Sequence, residues 1–334
     1  MIPSKWTSIK YSTVVGFFAQ DLPETDDNSF DYISSNFGLL DNFQMRTQDL
    51  EIEGAGERDL YDSGSKKPKW IEFQEAINKL NTEAPGNVKY KVVFLARHGQ
   101  GYHVQESSYG TSLWNCYWSL LDGDGKSRWD DAKLTESGVV EAQKANQAWK
   151  QQIKNGVPMP QSFYSSPLSR AAATLEITWK DITLNRKDYP KPIIKEKLRE
   201  TLGIHVCDRR APKCEIARAF PEFTFEKGFA EGLDPLWDPI HREPYDATSR
   251  RLKIALGEIF TSDDSTYLTI SAHSGTIRSI LEVIGHRKFS IQTGGMIPVV
   301  IKVEFSKEVE KPTTVSPSRV APRCTVDPTP VAEL

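Results

Sequence analysis

The sequence predicts an α/β protein, built as a three-layer α/β/α sandwich around a largely parallel central sheet. A continuous apolar segment at 90–96 is typical of a strand that is buried on both faces of a parallel sheet. After it, strand-like segments alternate with helical segments as far as residue 305. This alternation is the pattern of βαβ units, whose helices cover the faces of the sheet.

The individual elements follow from periodicity and from capping residues. Thr135, with Glu136 after it, is typical of a helix N-cap and first turn. Ser166 and Pro167 are a favourable N-cap and N1 pair, so a helix is expected directly after the strand at 162–165. Helices are predicted over 70–81, 135–153, 167–180, 246–261 and 275–284, and strands over 90–96, 162–165, 191–195, 266–272 and 299–305.

Composition divides the chain into three parts. Residues 1–88 are mixed and aromatic-rich, and we expect them to be an N-terminal extension that packs on the core. Residues 89–306 form the α/β domain, with an insert at about 102–133 whose tryptophans belong either to a cap or to ordinary core. Residues 307–334 are rich in proline and have little apolar periodicity, which predicts a flexible tail.

Charge and cysteine usage narrow the class of protein. The 334 residues are 38% hydrophobic and 26% charged, which is ordinary for a soluble globular protein. A formal net charge of −3 does not favour nucleic acid as a partner, and no segment reaches the ~20 apolar residues that span a bilayer. The four cysteines form no CxxC pair, which argues against a disulfide framework and for a reducing compartment. We therefore expect a cytoplasmic protein, with the nucleus as an alternative and secretion disfavoured; the oligomeric state is not indicated.

Several polar residues are predicted to meet at one edge of the sheet. Arg97 and His98 end one predicted strand, His273 ends another, and Arg170 begins the helix after a third. Ligands of open α/β sheets bind beyond the carboxyl ends of the strands. Two guanidinium groups and the helix N-terminus at Ser274 suit a phosphoryl group.

A flexible loop, Gly99–Gln100–Gly101, follows the first strand. Its glycines allow a tight turn and a close approach of backbone amides to an anion. Neutral imidazole is a good nucleophile toward phosphorus near pH 7, so His98 is the expected nucleophile. The loop is therefore expected to help bind a small phosphorylated molecule.

Five motifs together resemble a known family. The segments LARHGQG, LTESG, SSPLSRAAAT, LRETLG and SAHSG occur in this order within about residues 90–305. They resemble the histidine phosphatase superfamily in its phosphoglycerate mutase-like branch. The segments RHGQGYH and HVCDRR are similar to a fungal phosphomutase-like subgroup. The resemblance implies the phosphoglycerate mutase-like fold, with 89–306 as the catalytic domain.

The resemblance also implies a role for each motif residue. His98 would become phosphohistidine, while Arg97, Arg170 and His273 would bind the transferred phosphoryl group. Glu200, in LRETLG, would protonate the leaving oxygen and then activate water. No metal and no cofactor is required, because the arginines and the histidine supply the charge stabilisation.

The sequence departs from the family at one position and leaves another segment open. The family has Asn six residues after the nucleophile, where this chain has Val104; the adjacent His103 could partly replace that contact. The arginine pair Arg209–Arg210 follows Glu200 closely. It contacts distal anionic groups of a substrate or forms local ion pairs in a surface loop.

Three functions remain from the sequence. The first is a metal-independent phosphatase that hydrolyses a small phosphorylated metabolite through phosphohistidine on His98. The second is a phosphomutase, which must keep water from its phosphorylated intermediate. The third, of a different class, is a phosphate-binding pseudoenzyme or regulatory protein, which has no need of both a nucleophile and the proton donor Glu200.

Overall fold

A computed structural model describes residues 6–42, 46–47, 67–309 and 314–325. Its strands are β1 (Ser8–Val15), β2 (Arg46–Thr47), β3 (Val88–Arg97), β4 (Ser162–Ser165), β5 (Ile193–Ile194), β6 (Thr224–Phe225), β7 (His241–Arg242), β8 (Tyr267–Ala272), β9 (Met296–Ser306) and β10 (Arg319–Val320). Its α-helices are α1 (Lys69–Glu83), α2 (Glu106–Tyr109), α3 (Thr111–Cys116), α4 (Glu136–Lys154), α5 (Ser169–Trp179), α6 (Lys213–Ala219), α7 (Tyr245–Ser262) and α8 (Ser274–Val283).

The main sheet has the strand order β2-β1-β9-β3-β8-β4-β5-β6. Strands β3, β8, β4, β5 and β6 run parallel to one another, while β9 is antiparallel to both β3 and β1. Hydrophobic residues of α1, α4 and α5 pack on one face of this sheet, and those of α7 and α8 pack on the other. The prediction of a three-layer α/β fold with a largely parallel sheet is confirmed.

Strand β3 shows why its sequence is apolar without alternation. Val92 and Phe94 point into the core on the side of α1, α4 and α5. Val93 and Leu95 point into the core on the side of α7 and α8. Side chains alternate between the two faces of a strand, so a strand buried on both faces is apolar at every position.

The predicted helices and strands are present with shifted bounds. Thr135 caps α4 as expected, since its hydroxyl accepts a hydrogen bond from the backbone N–H of Gly138. Helix α5 begins at Ser169, two residues later than predicted. Ser166 is not its N-cap, because the Ser166 hydroxyl lies 2.7 Å from Nε2 of His273 and accepts from the Leu168 N–H.

The N-terminal segment contributes to the sheet itself. Strand β1 pairs with β9 over a register that runs from Ser8 opposite Ser306 to Thr13 opposite Ile301. The sequence predicts that residues 1–88 pack on the core as an extension. In the structure, β1 of this segment is a strand of the central sheet itself. The proposed boundary at residue 88 stays a prediction.

A disulfide between Cys116 of α3 and Cys324 corrects the expectation from cysteine spacing. The two residues are 208 positions apart, so no local motif marks the pair, and only the fold brings their Cα atoms to 5.2 Å. The argument from cysteine usage for a reducing compartment therefore loses its basis, and a cytoplasmic location stays a prediction.

The described part of the predicted tail lies against the domain. Strand β10 pairs with β7, with Arg319 opposite Arg242, and the disulfide fixes Cys324 to the insert. Ser316 also donates to the Asp246 carboxylate, so the segment 314–325 contacts the domain at several points. The flexible tail expected from the composition stays a prediction. Residues 310–313 and 326–334 of that tail lie outside the described residues. Of the helices in the described ranges, none has the length and apolar character needed to cross a membrane.

Candidate active site

A cavity of about 560 Å³ opens beyond the ends of β3 and β8. Among the described residues, its lining includes five cationic side chains but only two carboxylates. The whole chain has a formal net charge of −3, so the positive charge is local to this cavity, and such a cleft attracts anions. The cations are Arg97, Arg170, Arg242, Arg278 and Lys288; the carboxylates are Glu200 and Asp208; the imidazoles are His98, His103 and His205.

His98 lies directly after β3 with its ring fixed by its neighbours. Its backbone N–H donates to the carbonyl of Ala272 at 3.0 Å, which continues the pairing of β3 with β8. Its Nδ1 lies 2.7 Å from the carbonyl oxygen of Gly99, and a carbonyl only accepts, so Nδ1 carries the proton. Nε2 is therefore unprotonated, and its lone pair accepts a hydrogen bond from Nε of Arg170 at 3.3 Å.

His98, His103 and His273, hereafter the site imidazoles, form a cluster. The ring centroids of His103 and His273 lie 5.3 Å and 5.0 Å from that of His98. Burial lowers the pKa of all three well below the usual value, and the charge of Arg170 lowers each pKa further. The cluster is therefore neutral at neutral pH, and neutral imidazole is the nucleophilic form.

Arg170 is held rigidly in α5. It is 1% exposed, its Nη1 donates to the carbonyl of Cys207 at 2.6 Å, and its Nη2 donates to Asp208 Oδ1 at 2.8 Å. These bonds occupy both terminal nitrogens and direct Nε toward His98. The ion pair with Asp208 therefore positions Arg170 beside His98.

Two further site residues carry buried polar atoms without a partner. Nε of Arg97 has none, although its Nη1 donates to the carbonyl of Ile291 at 2.6 Å. Nδ1 of His273 also has none, while its Nε2 is bonded to the Ser166 hydroxyl. Buried polar atoms are nearly always paired in proteins, so these atoms mark a place where a polar ligand completes the structure. Arg97 lines the cavity, whereas His273 lies beside His98 without lining it.

Glu200 reaches the cavity next to the start of α8. Its Oε2 accepts from the backbone N–H of Gly275 at 3.0 Å, and its Oε1 accepts from the N–H of Thr201 at 3.0 Å. The structure differs here from the expectation that the first amides of α8 bind phosphate, since the Gly275 amide binds a carboxylate. Ser274 is exposed and lines the cavity.

The glycine loop differs from its predicted role. Gly99, Gln100 and Gly101 do not line the cavity. The Gly99 N–H donates to the Thr174 hydroxyl at 2.9 Å, and the Gln100 N–H donates to Glu141 at 2.7 Å. These two amides are therefore not free for an anion. A side chain at 99 would collide with the backbone at the start of α4, so this glycine is required for close packing.

The insert contributes side chains to the cavity wall, whereas the arginine pair after Glu200 does not. Helix α3 supplies Trp114 and Asn115 to the cavity wall, while Trp114 also packs into a small core of its own with Trp118 and Trp129. Arg209 and Arg210 do not line the cavity; they pair with Asp122 and Glu196 respectively. The reading of local ion pairs is therefore the correct one for these two arginines.

Sequence reasoning missed three cations of the outer cavity. Arg242 lies in β7, Arg278 lies one turn after Ser274 in α8, and Lys288 lies in the loop before β9. None belongs to one of the five motifs: Arg278 stands among apolar residues of α8, and Lys288 directly follows Arg287. The helical spacing of Ser274 and Arg278 was a usable signal, since residues four apart share a helix face.

The N-terminal segment also supports one wall of the cavity. The side chain of Asp27 accepts from the N–H of Ser290 at 2.6 Å, and Nη1 of Arg287 donates to the Gln20 carbonyl at 3.3 Å. The same loop provides the Ile291 carbonyl to Arg97. The segment thus fixes a loop that contacts both the cavity and a site arginine.

A second group of side chains has metal-ligand residue types, but its charge and protonation do not suit a metal ion. The ligand atoms of His205, Cys207 and Asp208 lie within 4.8 Å of one another. Asp208 already pairs with Arg170 at 2.8 Å and with Arg242 at 3.4 Å, and two guanidinium groups repel a cation. Burial raises the pKa of the Cys207 thiol well above its usual value, which disfavours the thiolate that binds metals.

Residues 93–292 match the histidine phosphatase superfamily, branch 1. The chain belongs to this family, which is the class that the fold and the arginine–histidine site define. Some proteins similar to this chain are named mutases, and others are named phosphatases.

Relatives of high similarity come from fungi. A probable phosphoglycerate mutase of Arthroderma benhamiae is 44% identical over 301 residues, which is 90% of this chain and 86% of that one. A probable phosphoglycerate mutase of Saccharomyces cerevisiae is 33% identical over 253 residues, which is 70% of this chain and 84% of that one. Among solved structures, phosphoglycerate mutase from Bacillus anthracis is similar with a TM-score of 0.40 at 16% identity, covering 69% of this chain and 94% of that one.

Proposed function

We propose that the protein is a metal-independent phosphatase that hydrolyses a small phosphorylated metabolite through phosphohistidine on His98. The observation that carries this proposal is the state of His98. Its Nδ1 proton is bound to a carbonyl, and its unprotonated Nε2 accepts a hydrogen bond from Nε of the fixed Arg170 guanidinium at 3.3 Å. A nucleophile beside a clamp for phosphoryl oxygens is what phosphoryl transfer to a protein requires.

The first step forms the intermediate. The Nε2 lone pair of His98 attacks phosphorus, the bond from phosphorus to the leaving oxygen breaks, and that oxygen takes a proton from Glu200. Arg97 and Arg170 stabilise the negative charge of the phosphoryl oxygens. These guanidinium groups supply the positive charge that a metal ion supplies in other phosphoryl-transfer enzymes.

The second step releases phosphate. Water attacks the phosphorus of phosphohistidine while the Glu200 carboxylate takes its proton, and the bond to Nε2 breaks. Inorganic phosphate leaves, and His98 and Glu200 return to their starting protonation states. Two backbone N–H groups hold the Glu200 carboxylate at the cavity, which supports this shuttle.

A phosphomutase is the second candidate, because the fungal relatives are named probable phosphoglycerate mutases. Such an enzyme returns the phosphoryl group from His98 to an alcohol rather than to water. The third candidate, a pseudoenzyme, is disfavoured because an unprotonated imidazole nitrogen on His98 and the carboxylate of Glu200 belong to residues that line the same cavity. Product analysis separates the first two candidates.

The test uses p-nitrophenyl phosphate and a panel of phosphate esters between pH 5 and 8. Wild type is compared with His98→Ala and with the control His241→Ala, which removes an exposed imidazole that does not line the cavity. We expect phosphate release and acid-labile, alkali-stable labelling in wild type and in the control, and neither in His98→Ala. A wild type that releases no phosphate but interconverts esters after priming with a bisphosphate supports the mutase instead.

A further inference from the structure

His103 is a polar side chain of the cavity that the proposed mechanism does not use. It lies in the turn Tyr102–Gln105, at the beginning of the insert. Its ring lines the cavity and lies edge-on to His98, with 5.3 Å between the ring centroids and 67° between the ring planes. A substrate group bonded to His98 would therefore be within reach of this imidazole.

The His103 ring packs closely against Gly101. A Cβ atom at position 101 would lie 2.8 Å from Nδ1 and 3.0 Å from Cε1 of His103, closer than side chains tolerate. The edge formed by Nδ1 and Cε1 therefore packs directly on the glycine backbone. The remaining edge of the ring carries Nε2, and His103 lines the cavity.

The surroundings of Nδ1 decide where the ring proton lies. Nδ1 is buried and has no hydrogen-bond partner. A buried N–H without an acceptor is rarer in proteins than an acceptor without a donor, so the favoured tautomer leaves Nδ1 unprotonated. The proton is then on Nε2, which makes that nitrogen a hydrogen-bond donor on a residue that lines the cavity.

We propose that His103 is a phosphoryl-binding residue, whose Nε2–H donates to an oxygen of the phosphoryl group during its transfer to and from His98. This inference rests on the proposed function. The next residue, Val104, has an apolar side chain that offers no such donor. The donor comes from the insert, whereas Arg97 and Arg170 approach from β3 and α5.

A neutral donor has a specific advantage in this place. Burial, together with Arg170, lowers the pKa of His103 well below its usual value, so the ring donates without a charge of its own. Two guanidinium groups already lie near the nucleophile, and a third positive charge would strengthen the binding of the product phosphate. A neutral N–H instead stabilises the charge that develops on oxygen in the transition state.

Amide variants test which nitrogen acts. The side-chain nitrogen of glutamine can take the place of histidine Nε2, and that of asparagine can take the place of Nδ1. We expect His103→Asn and His103→Ala to lower kcat by about 10²-fold, the size of effect seen when one oxyanion donor is removed. We expect His103→Gln to stay within about tenfold of wild type. Gly101→Ala displaces the ring and should resemble His103→Ala.

The assay measures kcat and KM separately on p-nitrophenyl phosphate, inhibition by vanadate, and the urea midpoint of each variant. Glutamine and asparagine both carry an amide, so a difference in kcat between these two variants at equal urea midpoints is not a folding effect. Equal activity of His103→Ala and wild type, or equal loss in His103→Gln and His103→Asn, overturns the inference while the phosphatase stands. A wild type that neither releases phosphate nor labels His98 overturns the proposed function and this inference together.

Discussion

Replacing Gly275 with alanine tests whether the position of the Glu200 carboxylate matters for catalysis. The added Cβ would lie 2.9 Å from Cδ of Glu200 and nearer still to Oε1. Carbon atoms pack best at about 3.5–4.0 Å, so the carboxyl group has to move by roughly 1 Å. A displacement of this size in a catalytic group can lower the rate by about 10²-fold.

The fold should tolerate this change. Gly275 is in the first turn of α8, where alanine is up to about 1 kcal/mol better than glycine, and the group that must move is the end of a side chain. We therefore expect kcat/KM to fall about 10²-fold while the free energy of unfolding is unchanged or higher. Gly86→Ala is the matched control, because its new methyl group meets no atom within 4 Å.

The assay combines steady-state kinetics on p-nitrophenyl phosphate with urea unfolding of the same preparations. Activity of Gly275→Ala within about twofold of the control would refute the reasoning, since the structure leaves no room for the carboxylate where it lies. A parallel loss of stability would refute it as well, because the expected effect is confined to the position of one carboxyl group.

Three further predictions concern stability. Asp208→Ala leaves Arg170, which is 1% exposed, without its ion-pair partner, and should lower the free energy of unfolding by about 3–5 kcal/mol in urea titrations. The site imidazoles have lowered pKa values in the folded chain, so the unfolded chain binds more protons below about pH 6.5. The free energy of unfolding should therefore fall below that pH by up to ~1.4 kcal/mol per pH unit for each ring. Equal free energies of unfolding from urea titrations at pH 7.5, 6.5 and 5.5 would contradict this. Cys324→Ser opens a loop of 208 residues, worth about 5 kcal/mol in the chain-entropy relation, and added reductant should lower the urea midpoint of wild type but not of the variant.

The parts of the fold that the sequence predicts are those with local signals. The apolar strand before Arg97 and the cap at Thr135 are recognised from a few neighbouring residues, and both are present. His98 ends a predicted strand and Arg170 begins a predicted helix, so the rule for ligands of parallel sheets predicts that they lie close together. In the structure, Nε of Arg170 lies 3.3 Å from Nε2 of His98.

The parts that the sequence does not predict depend on contacts between distant segments. Cys116 and Cys324 have no common motif, and their meeting depends on how the tail crosses the domain. The sequence alone suggests that Gly99 serves anion binding, but a glycine can equally serve close packing. The contact of Gly99 with the backbone at the start of α4 shows that close packing is its role here. Lys288 reaches the cavity through a loop whose course is fixed by residues near the N-terminus.

Strand β1 has a consequence for how much of the chain is needed to keep the protein monodisperse. It pairs with residues 301–306 of β9, where every second side chain is buried. A chain trimmed to 89–306 would present the unpaired N–H and C=O groups of this stretch of β9 to solvent. Such an edge is a template for strands of other molecules, so the trimmed protein should self-associate even though every catalytic candidate is still within it.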